Sequence, residues 1–171
     1  MARLRKFVCY RNLEKPYTRW SKLRNLCYVK GRPPTRIAKF ESGDPTKTFD
    51  ANLLLILKKE GQIRDNALES ARMAATRFLE KNLGKSGFHL KLRAWPHHVL
   101  RENPLAAGAG ADRLSTGMAH PFGKPIGLAV QAWNGKELFA LRIDSKNLSI
   151  GREALKRAVN KLPLPCTILT R

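Results

Sequence analysis

Two adjacent imidazoles, His97 and His98, followed by Glu102 and Asp112, form the grouping in this chain with the residue types of acid–base catalysis. An imidazole working with a carboxylate could move protons in RNA cleavage, because histidine titrates close to neutral pH. Neighbouring side chains on an extended backbone, however, point to opposite sides, so His97 and His98 do not converge on one reacting atom or one ion. The other imidazoles are His89 and His120, and no carboxylate cluster lies near them in sequence. Cys9, Cys27 and Cys166 are an odd set without CxxC spacing, and no histidine stands at zinc-ligand spacing from them. They read as free thiols of a reducing compartment. No catalytic residue, metal or cofactor is assigned on these grounds. The paired histidines are read as packing groups or as hydrogen-bonding partners for RNA. The competing reading is a small RNA-processing enzyme using His97 or His98 with Glu102 or Asp112.

Phosphate recognition is the chemistry in which the chain is richest. It carries 33 Lys and Arg against 13 Asp and Glu, a net charge of +20 over 171 residues. A compact state with that charge repels itself, and a polyanionic partner is the natural source of the missing negative charge. The surplus is greatest at the start, where residues 1–40 hold twelve Lys and Arg and one acid, Glu14. Arg3, Arg5, Lys6, Arg11, Arg19, Lys22, Arg24 and Lys39 are candidates for phosphate contact, interleaved with Phe7, Tyr10, Tyr17, Trp20, Tyr28 and Phe40. No period of 2 or 3.6 runs through the stretch, and Gly31-Arg32-Pro33-Pro34 interrupts it. Residues 1–35 therefore read as an irregular basic arm that follows a phosphate backbone, with rings available for the core or for bases. The plainer alternative is a solvated surface.

From residue 36 to 171 the pattern is that of one globular domain. Arg36–Glu41 and Asn52–Lys59 read as strands, with Gly43-Asp44-Pro45 as the turn between them. The run Leu53-Leu54-Leu55-Ile56-Leu57 is apolar on both faces and belongs in the middle of a sheet. Asn66 and Glu69 have capping-box spacing at the head of a helix. Its buried stripe is Ala67, Leu68, Ala71, Ala74, Ala75, Phe78 and Leu79, and Gly84 stops it. In 88–95, Phe88, Leu90, Leu92 and Ala94 alternate with His89, Lys91 and Arg93, an apolar underside beneath a basic face. Ile126–Trp133 and Lys136–Ile143, joined by Asn134-Gly135, read as a β-hairpin with a type I′ turn. Ser149 caps a second helix running to about Lys161, and Cys166–Arg171 is a last strand. The expected fold is α+β, a two-layer α/β sandwich with a mainly antiparallel or mixed sheet and two helices on one side. There is no apolar run of about 18 residues for a membrane span. The start of the chain lacks the apolar stretch of a signal peptide, so the protein is expected in the cytosol.

Between the strand at 88–95 and the hairpin lies a connection, Pro96 to Met118, longer than compact domains ordinarily use unless it is functional. From Arg101 to Ser115 it has an uncharged centre, Leu105 to Ala111, bracketed by Arg101, Glu102, Asp112 and Arg113. Small residues let backbone approach a partner closely, which suggests a slim loop tip anchored by charged flanks.

Four segments, taken in order, carry a family resemblance. They are Gly61-Gln-Ile-Arg-Asp-Asn-Ala-Leu-Glu-Ser-Ala-Arg72, Trp95-Pro-His-His-Val-Leu-Arg-Glu-Asn103, Gly110-Ala-Asp-Arg-Leu114 with Gly117-Met118, and Phe122-Gly-Lys-Pro-Ile-Gly127. With Cys9-Tyr10-Arg11 and Pro16-Tyr-Thr-Arg19, they make the chain resemble the universal large-subunit ribosomal protein sixteen family, in its archaeal and eukaryotic "ten-e" form. The resemblance implies an α/β sandwich bound to large-subunit rRNA beside neighbouring ribosomal proteins. It also implies a long loop pointing toward the peptidyl-transferase centre near aminoacyl-site tRNA, and a role without catalysis or small-molecule substrate. On this basis Arg64, His89, Lys91, Arg93, His97 and His98 join the rRNA-facing set. Arg101, Asn103, Leu105, Gly108, Gly110, Asp112 and Arg113 form the loop. At its tip the chain departs from the family pattern, with Pro104, Leu105, Ala106 and Gly108 where Lys, bulkier Met or Leu, and an aromatic or Cys are usual. A free-standing RNA- or DNA-binding regulator is the alternative from a different class.

Overall fold

The strands that alternate in sequence pair into two antiparallel sheets rather than one. In this computed structural model residues 4–13, 22, 23, 25, 29, 31–103, 108–114 and 123–171 are described, without the side chains of Asp112 and Leu114. The strands are β1 (Glu41–Gly43), β2 (Ala51–Leu57), β3 (Gly61–Arg64), β4 (Phe88–Leu92), β5 (His98–Glu102), β6 (Lys124–Ala132), β7 (Glu137–Ile143) and β8 (Cys166–Thr170). The helices are α1 (Asp65–Leu83), a single turn α2 (Ala111–Leu114) and α3 (Leu148–Val159). A five-stranded sheet has the order β1-β4-β7-β2-β8, and a three-stranded sheet the order β3-β6-β5. All pairings among the described residues are antiparallel, which settles the choice between antiparallel and mixed there.

As its sequence requires, the doubly apolar run of β2 lies inside the larger sheet, flanked by β7 and β8. Leu53, Leu55 and Leu57 on its inner face are fully buried with Phe88, Leu90, Leu92, Phe139, Leu141 and Ile143 beneath α1 and α3. Each such leucine contributes roughly 1.5–3 kcal/mol through removal from water. Helix α3 approaches the sheet closely at Gly151, where a Cβ would press on Ile143 Cδ1 and come within 2.7 Å of Leu53 Cδ1. The core continues into the smaller sheet through Ile63, Val130 and Ala132.

Five local expectations are corrected. The Asn134-Gly135 turn forms, with Gly135 at φ +81° and Lys136 N–H donating to Trp133 O at 3.1 Å, but its flanking strands do not pair with each other. Gly135 N–H donates instead to Leu57 O at 2.9 Å, and Leu57 N–H to Lys136 O at 3.0 Å. The turn thus lies beside the 58–60 bend, where the β2–β7 ladder gives way to the β3–β6 ladder. One long ribbon bends there and passes from the first sheet to the second, the way orthogonally packed sheets make corners. Residues 36–40 are not strand: Arg36 N–H is taken by Asp65 Oδ2 at 3.1 Å and Ile37 N–H by Thr35 Oγ1 at 3.2 Å, so only 41–43 join the sheet. The capping box of α1 is absent because the helix starts two residues earlier than an Asn66 cap would set, at Asp65 with Arg64 as its N-cap. That buried carboxylate binds Asn66 N–H at 2.8 Å, and Glu69 is drawn to Arg72. Ser149 lies inside α3, which a 3₁₀ turn at Ser145–Asn147 leads in and which ends at Val159. Finally, His98–Glu102 is strand β5 rather than connection, in register with β6 from His98↔Ala129 to Glu102↔Lys124.

Candidate nucleic-acid interface

The face of the five-stranded sheet opposite the helices is built by the alternation of β4. Leu90 and Leu92 are buried inward, while Lys91 and Arg93 are exposed on the other side and His89 is buried between its neighbours there. Cross-strand register sets His89 opposite Arg142 of β7, and Arg142 opposite Asn52 of β2, so the three share one row. In the next row Lys91 faces Ala140. Because alanine is short, a concavity of about 210 Å³ opens there, lined by Asn52, His89, Lys91, Arg93, Ala140 and Arg142.

The basic face is less one-sided than β4 alone suggests, since adjacent strands supply acids. Lys91 Nζ lies 2.6 Å from Glu41 Oε1, and Arg93 pairs with Glu137. The hydrogen bond from Lys91, with its charge, holds the Glu41 carboxyl below the usual carboxylate range. Both pairs are solvent-exposed, so each is worth about 0–1 kcal/mol. Arg142 has no ion-pair partner among the described residues and is the surplus cation of this face. Two polar atoms of the concavity are buried without a hydrogen bond among the described residues, Asn52 Oδ1 and His89 Nε2, and the latter faces Glu41 Oε2 at 3.6 Å. Leaving such groups unsatisfied costs on the order of 1–3 kcal/mol each. Asn52 and Arg142 were not singled out from sequence. The period of β7 does turn Arg142 away from Leu141 and Ile143, but its pairing with β4 is a long-range fact.

A second basic strip runs where residues 4–13 lie along the smaller sheet. Arg5 pairs with Glu102 of β5, which raises the guanidinium pKa further through its hydrogen bond, and Arg5 O accepts from Arg64 Nη1 at 2.8 Å. Arg64 also covers the Tyr10 ring at 5.8 Å. Gln62 Nε2 donates to Asn12 O at 2.6 Å, and Gln62 N–H to Arg11 O at 3.4 Å. The side chains of Lys6 and Arg11 remain exposed, as does Lys22. Lys39 lines a separate cleft of about 360 Å³ with Glu41, Arg72 and Lys85, where β1 meets α1. Arg3, Arg19, Arg24 and Leu105 lie outside the described residues.

The paired histidines separate as extended geometry requires. His97 is exposed, with Nδ1 3.3 Å from Trp95 O, whereas His98 is buried, its Nδ1 without a hydrogen bond among the described residues. Burial, reinforced by the charges of His97 and Arg101, pushes the His98 pKa down to about 4. Beyond β5, Arg101 and Asn103 are half-buried, while Gly108 and Gly110 are exposed at φ +121° and +76°. They lead into α2, which carries Asp112 and an exposed Arg113. The elements thus bring together Asn52, His89, Lys91, Arg93 and Arg142 on one face, and Arg5, Arg64 and Glu102 on another. His97, His98 and Glu102 do not meet at a common point.

Comparison with known proteins accounts for a chain with this fold and these basic faces. The family model described as ribosomal protein L16p/L10e matches residues 14–169. The chain is 43% identical over 167 residues to the large ribosomal subunit protein uL16 of Thermofilum pendens, covering 97% of this chain and 96% of that one. To the proteins of the same description from Archaeoglobus fulgidus and Methanoculleus marisnigri it is 42% and 41% identical, over 94% of this chain and 88% and 91% of theirs. With the match running from the first basic segment to the last strand, the chain belongs to the ribosomal protein L16p/L10e family.

Proposed function

We propose that this protein is a structural constituent of the large ribosomal subunit in the cytoplasm, where it binds rRNA and contacts neighbouring ribosomal proteins. Family membership across residues 14–169 is the observation that carries the reading. The surplus of 20 positive charges supports it, because folded RNA supplies the counter-charge that the chain lacks. Phosphate contacts fall to the open sheet face (His89, Lys91, Arg93), to the strip of Arg5, Lys6, Arg11 and Arg64, and to the remaining basic residues of the arm 1–35. The segment 101–115 reaches toward aminoacyl-site tRNA, with Arg101 and Arg113 as its phosphate contacts and Gly108 and Gly110 letting its backbone come close. The protein acts by holding RNA in place and catalyses nothing itself.

Sedimentation of a lysate through sucrose at high salt tests the assignment. The protein is expected to travel with the large subunit, and its release to the top of the gradient would favour a free-standing regulator. Purified protein is expected to leave rRNA intact; cleavage that is lost in His97→Ala or His98→Ala would overturn the non-catalytic part.

A further inference from the structure

The two sheets end, among the described residues, on β1, β8, β3 and β5, and these edges are not alike. β1 is three residues long and closes on Gly43 at φ +93°. β5 is buried over His98–Leu100, and Arg11 O takes the Gln62 N–H of β3 at 3.4 Å. Along β8, Asn52 and Arg171 exchange both main-chain hydrogen bonds, at 3.1 and 2.8 Å, and Lys58 N–H donates to Pro165 O at 3.0 Å. With the register from Leu53↔Thr170 to Leu57↔Cys166, these bonds fix the parity of the ladder. Thr167 and Leu169 turn their N–H and C=O groups to β2. Cys166, Ile168 and Thr170 turn theirs outward, where no main chain of the described residues meets them. The strand Cys166-Thr-Ile-Leu-Thr170 also has no charge, proline or glycine to protect such an edge. Beside it a cleft of about 550 Å³ separates β8 from α3, with Val159 and Ile168 inside and Lys58 and Lys156 in its wall. Arg157 there pairs with Glu153, whereas neither lysine has an ion pair among the described residues. Alternating donors and acceptors fit another extended peptide; phosphates would accept from the N–H groups but repel the three carbonyls. A second copy of this chain would bring 20 further positive charges to the same place.

We propose that the outer edge of β8 takes up a strand from a neighbouring ribosomal protein, an extended segment of about five residues with acidic side chains. It exchanges main-chain hydrogen bonds with Cys166, Ile168 and Thr170, sets an apolar side chain against Val159 and Ile168, and brings carboxylates to Lys58 and Lys156. The proposal rests on the ribosomal reading and deepens it: it names the edge, the pairing and the charge by which a protein neighbour is held.

The test compares amide hydrogen exchange, resolved to single residues, in the free full chain and in purified large subunits that contain it. In the free chain Ile168 is expected to exchange fast beside a protected Leu169, and in the subunit to slow by about tenfold or more. Thr170→Pro removes one outward N–H and leaves the bonds to β2 in place, so it is expected to melt as the wild type does and to cancel the slowing at Ile168. Thr170→Val, which keeps the N–H, is expected to retain it. Lys58→Glu combined with Lys156→Glu, both at exposed positions, is expected to weaken it. A photo-cross-linker in place of the exposed Leu169 is expected to reach an acidic segment of another ribosomal protein within the subunit. Unchanged exchange at Ile168 on assembly, or cross-links to rRNA or to a second copy of this chain, would overturn the proposal. In those cases the chain still sedimenting with large subunits leaves the ribosomal assignment standing. A chain absent from the subunits overturns that assignment and the proposal with it.

Discussion

The two faces of the five-stranded sheet are written by the same strands and obey different physics. Inward, Leu53, Leu55, Phe88, Leu90, Phe139, Leu141 and Ile143 are packed under two helices, and each contact depends on shape. Outward, charges from neighbouring strands offset one another in exposed pairs, Lys91 with Glu41 and Arg93 with Glu137, and Arg142 has no ion pair among the described residues. The inner face therefore carries stability, and in the proposed function the outer face carries binding, with little exchange between them. The sharpest way to break that division is to truncate one residue on each side. Leu53→Ala removes a fully buried side chain from beneath α3 and is expected to cost about 3–4 kcal/mol. Arg142→Ala, on the opposite face of the adjacent strand, is expected to change stability by less than about 0.5 kcal/mol. Urea denaturation of both variants checks this; a loss of comparable size in Arg142→Ala would mean that the open face is structural too.

The same contrast recurs in the smaller sheet between two consecutive residues, His97 outward and His98 inward, and pH exposes it. The folded His98 has its pKa held near 4, below the ordinary 6.5. The unfolded chain thus binds the extra proton first as pH falls, and stability rises with pH across the window from about 4 to 6.5. Stability contributed by neutral His98 is complete above the unfolded value and is lost as acid approaches the folded one. Its size is on the order of 2 kcal/mol, less than the full 1.36 kcal/mol per pKa unit because some solvent reaches the site. His98→Gln is expected to flatten the fall in melting temperature between pH 6.5 and 4, and His97→Gln to leave it in place. An equal effect from the two variants would remove the distinction between inward and outward imidazole.

Legibility from sequence divides along the same line. Where a residue's environment follows from its own period, the reading holds. The inward set of β4, the stripes of α1 and α3, and the central position of β2 need only alternation or a 3.6-residue repeat. Where the environment depends on which strand lies next door, sequence is silent. Asn134-Gly135 specifies a turn, yet whether the outgoing strand returns on itself or bends into another sheet is decided by Leu57, more than seventy residues earlier. Asn66 and Glu69 fit a capping box locally, but the buried Asp65 and the guanidinium of Arg72 compete for the same groups and win. Lys91 and Arg93 read as an unopposed basic pair because Glu41 and Glu137, on strands flanking β4, cannot be seen to touch them. Arg142 is hidden in the sequence for the same reason. The candidate site is a row across strands, and rows across strands are what a single chain conceals.

The outer-face ion pairs give the smallest effect and the finest test of the division. Glu41 and Glu137 each face an exposed cation, so replacing either by glutamine removes an interaction worth under about 1 kcal/mol and leaves an isosteric amide. Glu137 is the better probe: His89 also lies near Glu41, whereas Arg93 is the partner of Glu137 on this face. If the acids serve chiefly to trim the charge of the face, Glu137→Gln frees Arg93 for phosphate. It should tighten RNA binding a few-fold and steepen the salt dependence by up to one counterion, while urea midpoints move by only a few tenths of a molar. If the Arg93–Glu137 pair instead holds β4 to β7, the order reverses, with a clear loss of stability and no gain in affinity. The expectation is the first outcome, because the β4–β7 ladder already runs in continuous register from Phe88↔Ile143 to Leu92↔Phe139 through backbone bonds and inward side chains. A surface pair added to that ladder fixes where a guanidinium rests, and has little to add to whether the strands meet.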